Sequence, residues 1–237
     1  LRRRPGLESE LHACLGLATE CKSLAVQDAC TGFLTGLDIA SGYLTTGQAS
    51  QILLVTADAY SEFFDNSDLS VSPLFSDGAA AFTLHDPGED IPASSKTLSL
   101  VARQTIFDGT ARDLLQIQGR SSDRQELSMR GGGVFSFVVA HLPEALSAIR
   151  GQLGDNEFSN TAWFIHQGSK LVVDHVAAEL GHGDKDYFAA RDYGNTVSSS
   201  IPFQLIDRWE SINPGDSIGF ITFGMGMAIS ISVYAVS

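Results

Sequence analysis

The chain predicts an α/β fold made of two related halves, and three observations carry that expectation. Short apolar runs that read as buried strands alternate along the sequence with segments of helical period. A shift of about 165 positions lays the end of the chain on its beginning: Gly194-Asn195-Thr196 falls on Ala29-Cys30-Thr31, helix on helix, and Ile218 to Phe223 on Leu53 to Asp58. Gly226-Met227-Ala228 then falls near the small-residue strand at Ala79. Between the two copies lies an irregular stretch with Pro87, Pro92 and the Ser94-Ser95 pair, which sets the expected division at 1–90 and 91–237.

Each element follows from local pattern. Leu7, Leu11 and Leu15 give an amphipathic helix over Leu7 to Leu17, ended by Gly16, and Ser23 to Val26 reads as a buried strand. Phe33, Leu37 and Ala40 to Tyr43 set a helical period that Gly47 closes, with Cys30 at the turn before it. Gln51 to Ala57 shows no alternation, so it is expected to be buried on both faces as in a parallel sheet. Phe75 to Leu84 reads as a turn feeding a strand, and His85 to Ser128 as irregular. A helix starts near Gly133, with Pro143 kinking it or opening a second segment. Ala162 to Ile165 is a strand, Ser169 to Leu180 a helix capped by Gly181, Ile201 to Trp209 a helix, and Ser217 to Phe223 the strand before a Gly-Met-Gly turn and a final strand.

Composition excludes several classes. With 237 residues, 43% hydrophobic and 18% charged, the chain can bury a substantial core and does not read as disordered. Its formal charge of −13 argues against a general nucleic-acid binder. The longest apolar runs, such as Ile52 to Val55, fall far short of the roughly 20 residues of a membrane span. Three cysteines make no disulfide framework and fit a reducing cytoplasm. The opening Leu1-Arg2-Arg3-Arg4-Pro5-Gly6 has no initiator Met, apolar signal core or cleavage site, and reads as a fragment or processed product with a frayed, solvated start.

Three residues stand out as reactive when taken together. Cys30 lies at a helix N-terminus, where the macrodipole and free N–H groups favour thiolate, so iodoacetamide is expected to modify it faster than Cys14 or Cys21. Taken alone it reads more readily as a buried structural thiol. His166 ends a strand just before a helix, and Gln167-Gly168-Ser169 forms a tight turn that presents its ring. His12, His85, His141, His175 and His182 lack such a setting and read as surface residues. Asn195 in Gly194-Asn195-Thr196 serves equally as a cap or left-handed turn residue. Cys, His and Asn in that order also describe a papain-like protease, and the interval of 136 from Cys30 to His166 suits one. The Asp28-Ala29-Cys30-Thr31-Gly32-Phe33 context does not, and the internal repeat has no place in that fold.

At these residues the chain resembles the thiolase-fold condensing enzymes, above all the ketoacyl-acyl carrier protein synthase III family. Asp28 to Phe33 resembles the family's nucleophile turn, and Phe75-Ser76-Asp77-Gly78-Ala79-Ala80-Ala81 its Phe-Gly-Asp-Gly-Ala-Gly-Ala segment. His166-Gln167-Gly168-Ser169 resembles His-Gln-Ala-Asn/Ser. Gly194-Asn195-Thr196 through Ile201-Pro202 resembles the family's Gly-Asn-Thr stretch, and Phe223-Gly224-Met225-Gly226 its glycine-rich loop. The resemblance implies a layered α-β-α-β-α thiolase-like fold. It implies that Cys30 takes an acyl group from acyl-CoA, with backbone N–H groups of Cys30 and Met225 as oxyanion hole. His166 and Asn195 would then stabilise the enolate left when a malonyl thioester, on acyl carrier protein, loses carbon dioxide. No metal or redox cofactor is implied. Gly224, Gly226 and Lys170 are expected at the substrate or carrier entrance, and a homodimer paired near Ile52 to Ala57 is expected.

Departures from the family pattern sharpen these expectations. The run Ser169-Lys170-Leu171 lacks the arginine that many members place there to dock an acidic carrier, so only Lys170, with Arg2 to Arg4, offers charge. Met225 and Met227 bring flexible side chains to the region of the acyl pocket and bear on chain-length preference. About a quarter of the usual family length is expected upstream of Leu1. Two rivals stay open: a sibling enzyme that uses the same residues for acyl transfer to oxygen or nitrogen or for a specialised condensation, and a non-catalytic partner subunit.

Overall fold

The computed structural model describes residues 6–65, 67–86, 95–121 and 124–237, so Arg2 to Arg4 and the expected division at 90/91 lie outside the described residues. The described elements in chain order are α1 (Leu7–Cys14), a 3-10 turn (Ala29–Thr31) running into α2 (Gly32–Thr45), β1 (Gln51–Asp58), a 3-10 turn (Tyr60–Phe63) and β2 (Gly78–His85). They continue through β3 (Leu98–Phe107), a 3-10 turn (Gly109–Leu114), β4 (Leu115–Ser121), β5 (Arg124–Met129), α3 (Gly131–Leu153), α4 (Asp155–Asn160), β6 (Ala162–Ile165), α5 (Lys170–Glu179) and α6 (Ala190–Tyr193). A 3-10 turn (Val197–Ser199) leads into α7 (Ser200–Arg208), and a last such turn (Trp209–Ser211) precedes β7 (Ser217–Gly224) and β8 (Ala228–Val236).

A four-stranded sheet in the order β3-β8-β7-β6 holds the centre of the second half, with β6 parallel to β7 and the other pairs antiparallel. β7 and β8 are apolar almost throughout and buried on both faces, because helices cover each side. On one side lie α3 and α5. On the other, α2 and α7 share a layer in which Phe33, Leu34, Ile201 and Leu205 pack with Phe164, Ile218 and Phe220. The β1–β2 pair covers the far side of that layer, where α2 approaches β1 so closely at Gly36 that a β-carbon there would meet the Leu54 side chain. Helix α2 of the first half is therefore part of the core of the second.

Several expectations need correction. Ser23 to Val26 is not a buried strand: it pairs with no strand among the described residues, and Leu24 and Val26 are exposed. β1 has no parallel partner among the described residues; it runs antiparallel to β2, Gln51 opposite His85 through Asp58 opposite Gly78, and only Thr56 in it is fully buried. The stretch after His85 is not irregular, since it holds β3 and the β4–β5 hairpin. β3 lies at a sheet edge with one fully buried residue, Ala102, so its apolar alternation is too weak to stand out in sequence.

Helix α3 runs unbroken past Pro143, whose missing N–H leaves the carbonyl of the exposed Val139 on the outer side. Among the described residues α3 is the one helix long and apolar enough to cross a membrane by length and composition. Its Phe137, Val138, Leu142, Ala145, Leu146 and Ile149 are instead buried in protein. α1 is shorter than its pattern predicts and buries no side chain, while Gly16 and Gly47 take the positive φ expected just past the ends of α1 and α2.

Candidate active site

The end of β7 is the meeting point. Cys30 sits in the turn that opens α2, directly against Gly224: a β-carbon on that glycine would lie 2.7 Å from Cys30 Cβ and 3.1 Å from Sγ. The turn is held in place by local bonds. Thr31 Oγ1 donates to the Asp28 carbonyl at 2.7 Å, the Thr35 hydroxyl donates to the Asp28 carboxylate, and Ala29 takes a φ of 44°, an uncommon conformation for a residue with a side chain.

His166 follows β6, and its backbone N–H extends the ladder to the Ile221 carbonyl at 2.8 Å. Its ring packs edge-on against Phe223, the neighbour of Gly224, at 5.0 Å between centroids, and its Nδ1 lies 2.7 Å from Ser200 Oγ. Gly168 leaves room for Phe223, since a β-carbon there would come within 2.7 Å of the ring. Gln167 locks the turn: its Nε2 donates to the carbonyls of Ile165 and Tyr187, and its Oε1 accepts from the N–H groups of Ala189 and Ala190.

Asn195 is tied to the first half by its main chain, its N–H donating to Leu74 O at 2.7 Å and its carbonyl accepting from Ser76 N at 3.0 Å. Its side-chain Oδ1 accepts from Val197 N at 3.0 Å, which leaves the Nδ2 amide as the donor end. Val197 holds a φ of 55°, a conformation costing about 1–3 kcal/mol for a β-branched residue. Cys30, His166 and Asn195 are all enclosed, at 4%, 1% and 3% exposure.

The internal repeat is present, with a register that differs from the sequence reading. Among the described residues Ala29 and Val197 are the two non-glycine residues with positive φ, each in a 3-10 turn that opens a helix, and they are 168 positions apart. The residue equivalent to Cys30 is thus Ser198; Asn195 lies three residues ahead of it. Gln51–Asp58 and Ser217–Gly224 repeat at an offset of 166, so Asp58 is the counterpart of Gly224. Asp58 accepts from Ser198 N at 3.1 Å and from the Ser198 hydroxyl. The sequence reading missed Asp58, Ser198 and Ser200 as individuals; the signal that could have found Asp58 is an acidic residue closing an apolar strand.

Electrostatics also revise one expectation. Burial, then the Asp58 carboxylate, push the Cys30 thiol up to about 12, outweighing the hydrogen bond from its own backbone N–H. The short turn does not lower the thiol as its position predicts. Burial also pushes His166 down to about 3, so the ring is neutral. Lys170 pairs with Asp174 at 2.6 Å one helical turn on, which offsets the charge expected for carrier docking. Met225 follows Gly224 in the tight turn, with the Tyr60 hydroxyl 4.0 Å from its sulfur and Gly226 at a φ of 132°. Cys14 and Cys21 are exposed and free. Neither a cavity of about 750 Å³ beside Trp163, Tyr187 and Arg208 nor a smaller polar one beside Asp28, Thr31 and Arg103 is lined by any of the three residues. Among the described residues, no group of three or more His, Cys, Asp or Glu is placed to hold a metal.

Comparison with known proteins matches this geometry to one family. Residues 24–99 match the family described as 3-oxoacyl-[acyl-carrier-protein (ACP)] synthase III, and residues 159–236 match its C-terminal family. A β-ketoacyl-[acyl-carrier-protein] synthase III of Synechocystis sp. is 30% identical over 247 residues, covering 96% of this chain and 71% of that protein. One from Erythrobacter litoralis is 30% identical over 236 residues, covering 97% and 72%. The crystal structure of 3-oxoacyl-[acyl-carrier-protein] synthase III from Aquifex aeolicus superposes with a TM-score of 0.84 at 24% identity, over 99% of this chain and 73% of that one. The priming β-ketosynthase from the R1128 polyketide biosynthetic pathway gives 0.80 at 25% identity, over 99% and 72%. Motifs, duplicated thiolase fold and matched relatives converge: the chain belongs to the 3-oxoacyl-[acyl-carrier-protein] synthase III family.

Proposed function

We propose that Cys30, His166 and Asn195 divide the two half-reactions of a decarboxylative condensation, in keeping with an acyltransferase of the 3-oxoacyl-[acyl-carrier-protein] synthase III type. In the first, Cys30 sulfur bonds to the carbonyl carbon of an acyl-CoA, the carbon–sulfur bond to CoA breaks, and the thiol proton leaves with the CoA thiolate. Backbone N–H groups of Cys30 and Met225 stabilise the oxyanion that forms on the way. The high thiol pKa means that the proton moves as sulfur attacks, rather than being lost beforehand.

In the second half-reaction a malonyl thioester loses carbon dioxide, and the electron pair of the broken bond becomes an enolate. His166 and Asn195 donate to its oxygen, His166 through the ring nitrogen that Ser200 does not engage and Asn195 through the amide that Val197 leaves free. The enolate carbon attacks the acyl-Cys30 carbonyl, the Cys30 thiolate leaves and is reprotonated, and a 3-oxoacyl thioester is released. The reading needs no metal or redox cofactor. Acyl carrier protein as bearer of the malonyl group, a homodimer through the β1–β2 side and a reducing cytoplasmic setting belong to the same reading, the last supported by three free thiols.

The observation that carries it is the placement of Cys30 on Gly224 at the end of β7, with His166 on the adjacent Phe223. Intact-mass measurement after incubation with a panel of acyl-CoAs tests it. An acyl adduct on the wild-type chain that is lost in Cys30→Ala is expected; no adduct with any donor refutes the enzyme and favours a non-catalytic subunit. Supplying malonyl-CoA and malonyl-carrier protein separately then identifies the second substrate.

A further inference from the structure

We propose that Ser200 is a positioning residue that fixes His166 as the neutral tautomer protonated on Nε2, so that the ring offers a donor, and not an acceptor, to the reacting thioester. The proposal rests on the condensation reading for its use and on hydrogen-bond accounting for its substance. Ser200 is 3% exposed and His166 1%, so neither can turn to bulk water for a partner. Ser200 Oγ has two neighbours within bonding distance among the described residues, His166 Nδ1 at 2.7 Å and the backbone N–H of Gln167 at 3.3 Å. The Gln167 N–H can only donate, so it occupies an acceptor lone pair of the serine oxygen. The hydroxyl proton is then left with a single acceptor, His166 Nδ1.

A buried hydroxyl whose proton is unmatched is costly, and the 2.7 Å distance is that of a good bond. Nδ1 must therefore be bare. A neutral ring with a bare Nδ1 carries its proton on Nε2, the nitrogen turned away from Ser200. The serine is itself held from both sides. Its main-chain carbonyl accepts from Gln204 Nε2 at 2.7 Å, and the same amide donates to the Ile165 carbonyl at 2.9 Å, joining the start of α7 to the end of β6 just before His166. The helix that presents Asn195's turn thus also sets the proton of His166, and one element orients both donors.

Two measurements on the intact chain test this. Nitrogen-15 spectra of histidine-labelled protein, with the His166 signals assigned by loss in His166→Gln, report which ring nitrogen bears the proton. The wild-type ring is expected as the Nε2–H form, Ser200→Ala as a mixture, and Ser200→Thr, which keeps the hydroxyl, as Nε2–H again. A wild-type ring found as Nδ1–H, as an even mixture or as imidazolium overturns the proposal whether or not any variant folds. In the second measurement, Ser200→Ala is expected to slow decarboxylation of malonyl-CoA about ten- to a hundredfold, by analogy with loss of the group that orients a metal-bound histidine. Acylation of Cys30 is expected to fall less than threefold, and Ser200→Thr to restore decarboxylation. Equal loss of both half-reactions in Ser200→Ala, or no loss of either, refutes the positioning role. A wild-type chain that never decarboxylates a malonyl thioester refutes the condensation reading instead, and leaves the tautomer result standing.

Discussion

Replacing Gly224 with alanine tests the geometry of the site at its tightest point. The added methyl would stand 2.7 Å from Cys30 Cβ, 3.1 Å from Sγ and 3.6 Å from Cα, where carbon atoms normally settle about 3.5–4.0 Å apart. Relief requires the thiol-bearing turn or the β7 end to move by about 1 Å. Neither yields easily, for β7 is the central strand between β8 and β6 and the turn is held through Asp28, Thr31 and Thr35. Overpacking of this kind costs about 1–3 kcal/mol. For a chain of this length that corresponds to a melting point lower by about 2–12 °C. A nucleophile misplaced by about 1 Å loses about a hundredfold in rate. The assay is the rate of acyl-adduct formation on Cys30 by mass spectrometry, together with thermal unfolding. Gly151→Ala in α3 is the control: its β-carbon meets nothing within 4 Å, and the helix gains about 0.5–1 kcal/mol. A Gly224→Ala protein that melts and acylates like wild type would refute the close approach of β7 to the nucleophile.

Two further predictions concern charge. With the Cys30 thiol pushed up to about 12 by burial and Asp58, iodoacetamide modification of Cys30 should rise about tenfold per unit between pH 7 and pH 10 without levelling off, and be slower than at the exposed Cys14 and Cys21. Asp58→Asn should speed it at fixed pH, because the neutral amide removes the second cause of the shift; a slower or level response contradicts the assignment. His166 sits at about 3 when folded against about 6.5 unfolded, so the unfolded chain binds the extra proton between those values. Its contribution is fully present above pH 6.5 and stability is lost as pH falls, at about 1.4 kcal/mol per unit from this group. His166→Gln should flatten that slope in urea titrations between pH 6 and pH 4, and an unchanged slope would show that the ring is hydrated when folded.

How much was legible in the sequence depended on where the information lay. α2, α5, α7 and β7 carry their own signals: apolar period, a serine cap at Ser169, glycine stops at Gly47 and Gly181, and an uninterrupted apolar run. The three candidate residues stood out because the turns that carry them are short and chemically marked, and the structure encloses all three. Ser23 to Val26 and β1 were misread because an apolar run does not say which neighbour it meets. Val26 faces solvent, and β1 has a single partner among the described residues. β3 escaped notice for the converse reason: at the sheet edge its apolar and polar residues are exposed alike, Leu100, Val101 and Phe107 with Ser99 and Arg103, so no alternation marks it. The state of Cys30 could not be read at all. The helix position was visible, but Asp58 reaches the thiol only through the fold.

The register of the repeat explains why two equivalent turns have different chemistry. Each half places a positive-φ residue, a 3-10 turn and a helix against the end of a strand, giving Cys30 facing Gly224 in one case and Ser198 facing Asp58 in the other. The carboxylate at Asp58 accepts both the N–H and the hydroxyl of Ser198, which immobilises that turn and the α7 start behind it. A carboxylate at the counterpart position, 224, would fill the space of the thiol and place a negative charge on the sulfur proposed as nucleophile. Glycine there is the only side-chain choice that leaves the nucleophile its room, since even one carbon overlaps Cys30. On the proposed function the second half contributes rigidity where the first contributes the nucleophile: Ser198 is pinned, Val197 N–H holds Asn195 and Ser200 holds His166. On that proposal, this difference at one pair of strand ends separates the work of the two turns, and it is measurable. Gly224→Asp should abolish acylation outright, whereas Asp58→Gly should leave the thiol reactive and loosen the donors, so that decarboxylation falls further than acylation. The opposite pattern would mean that the two turns do not divide the work in this way.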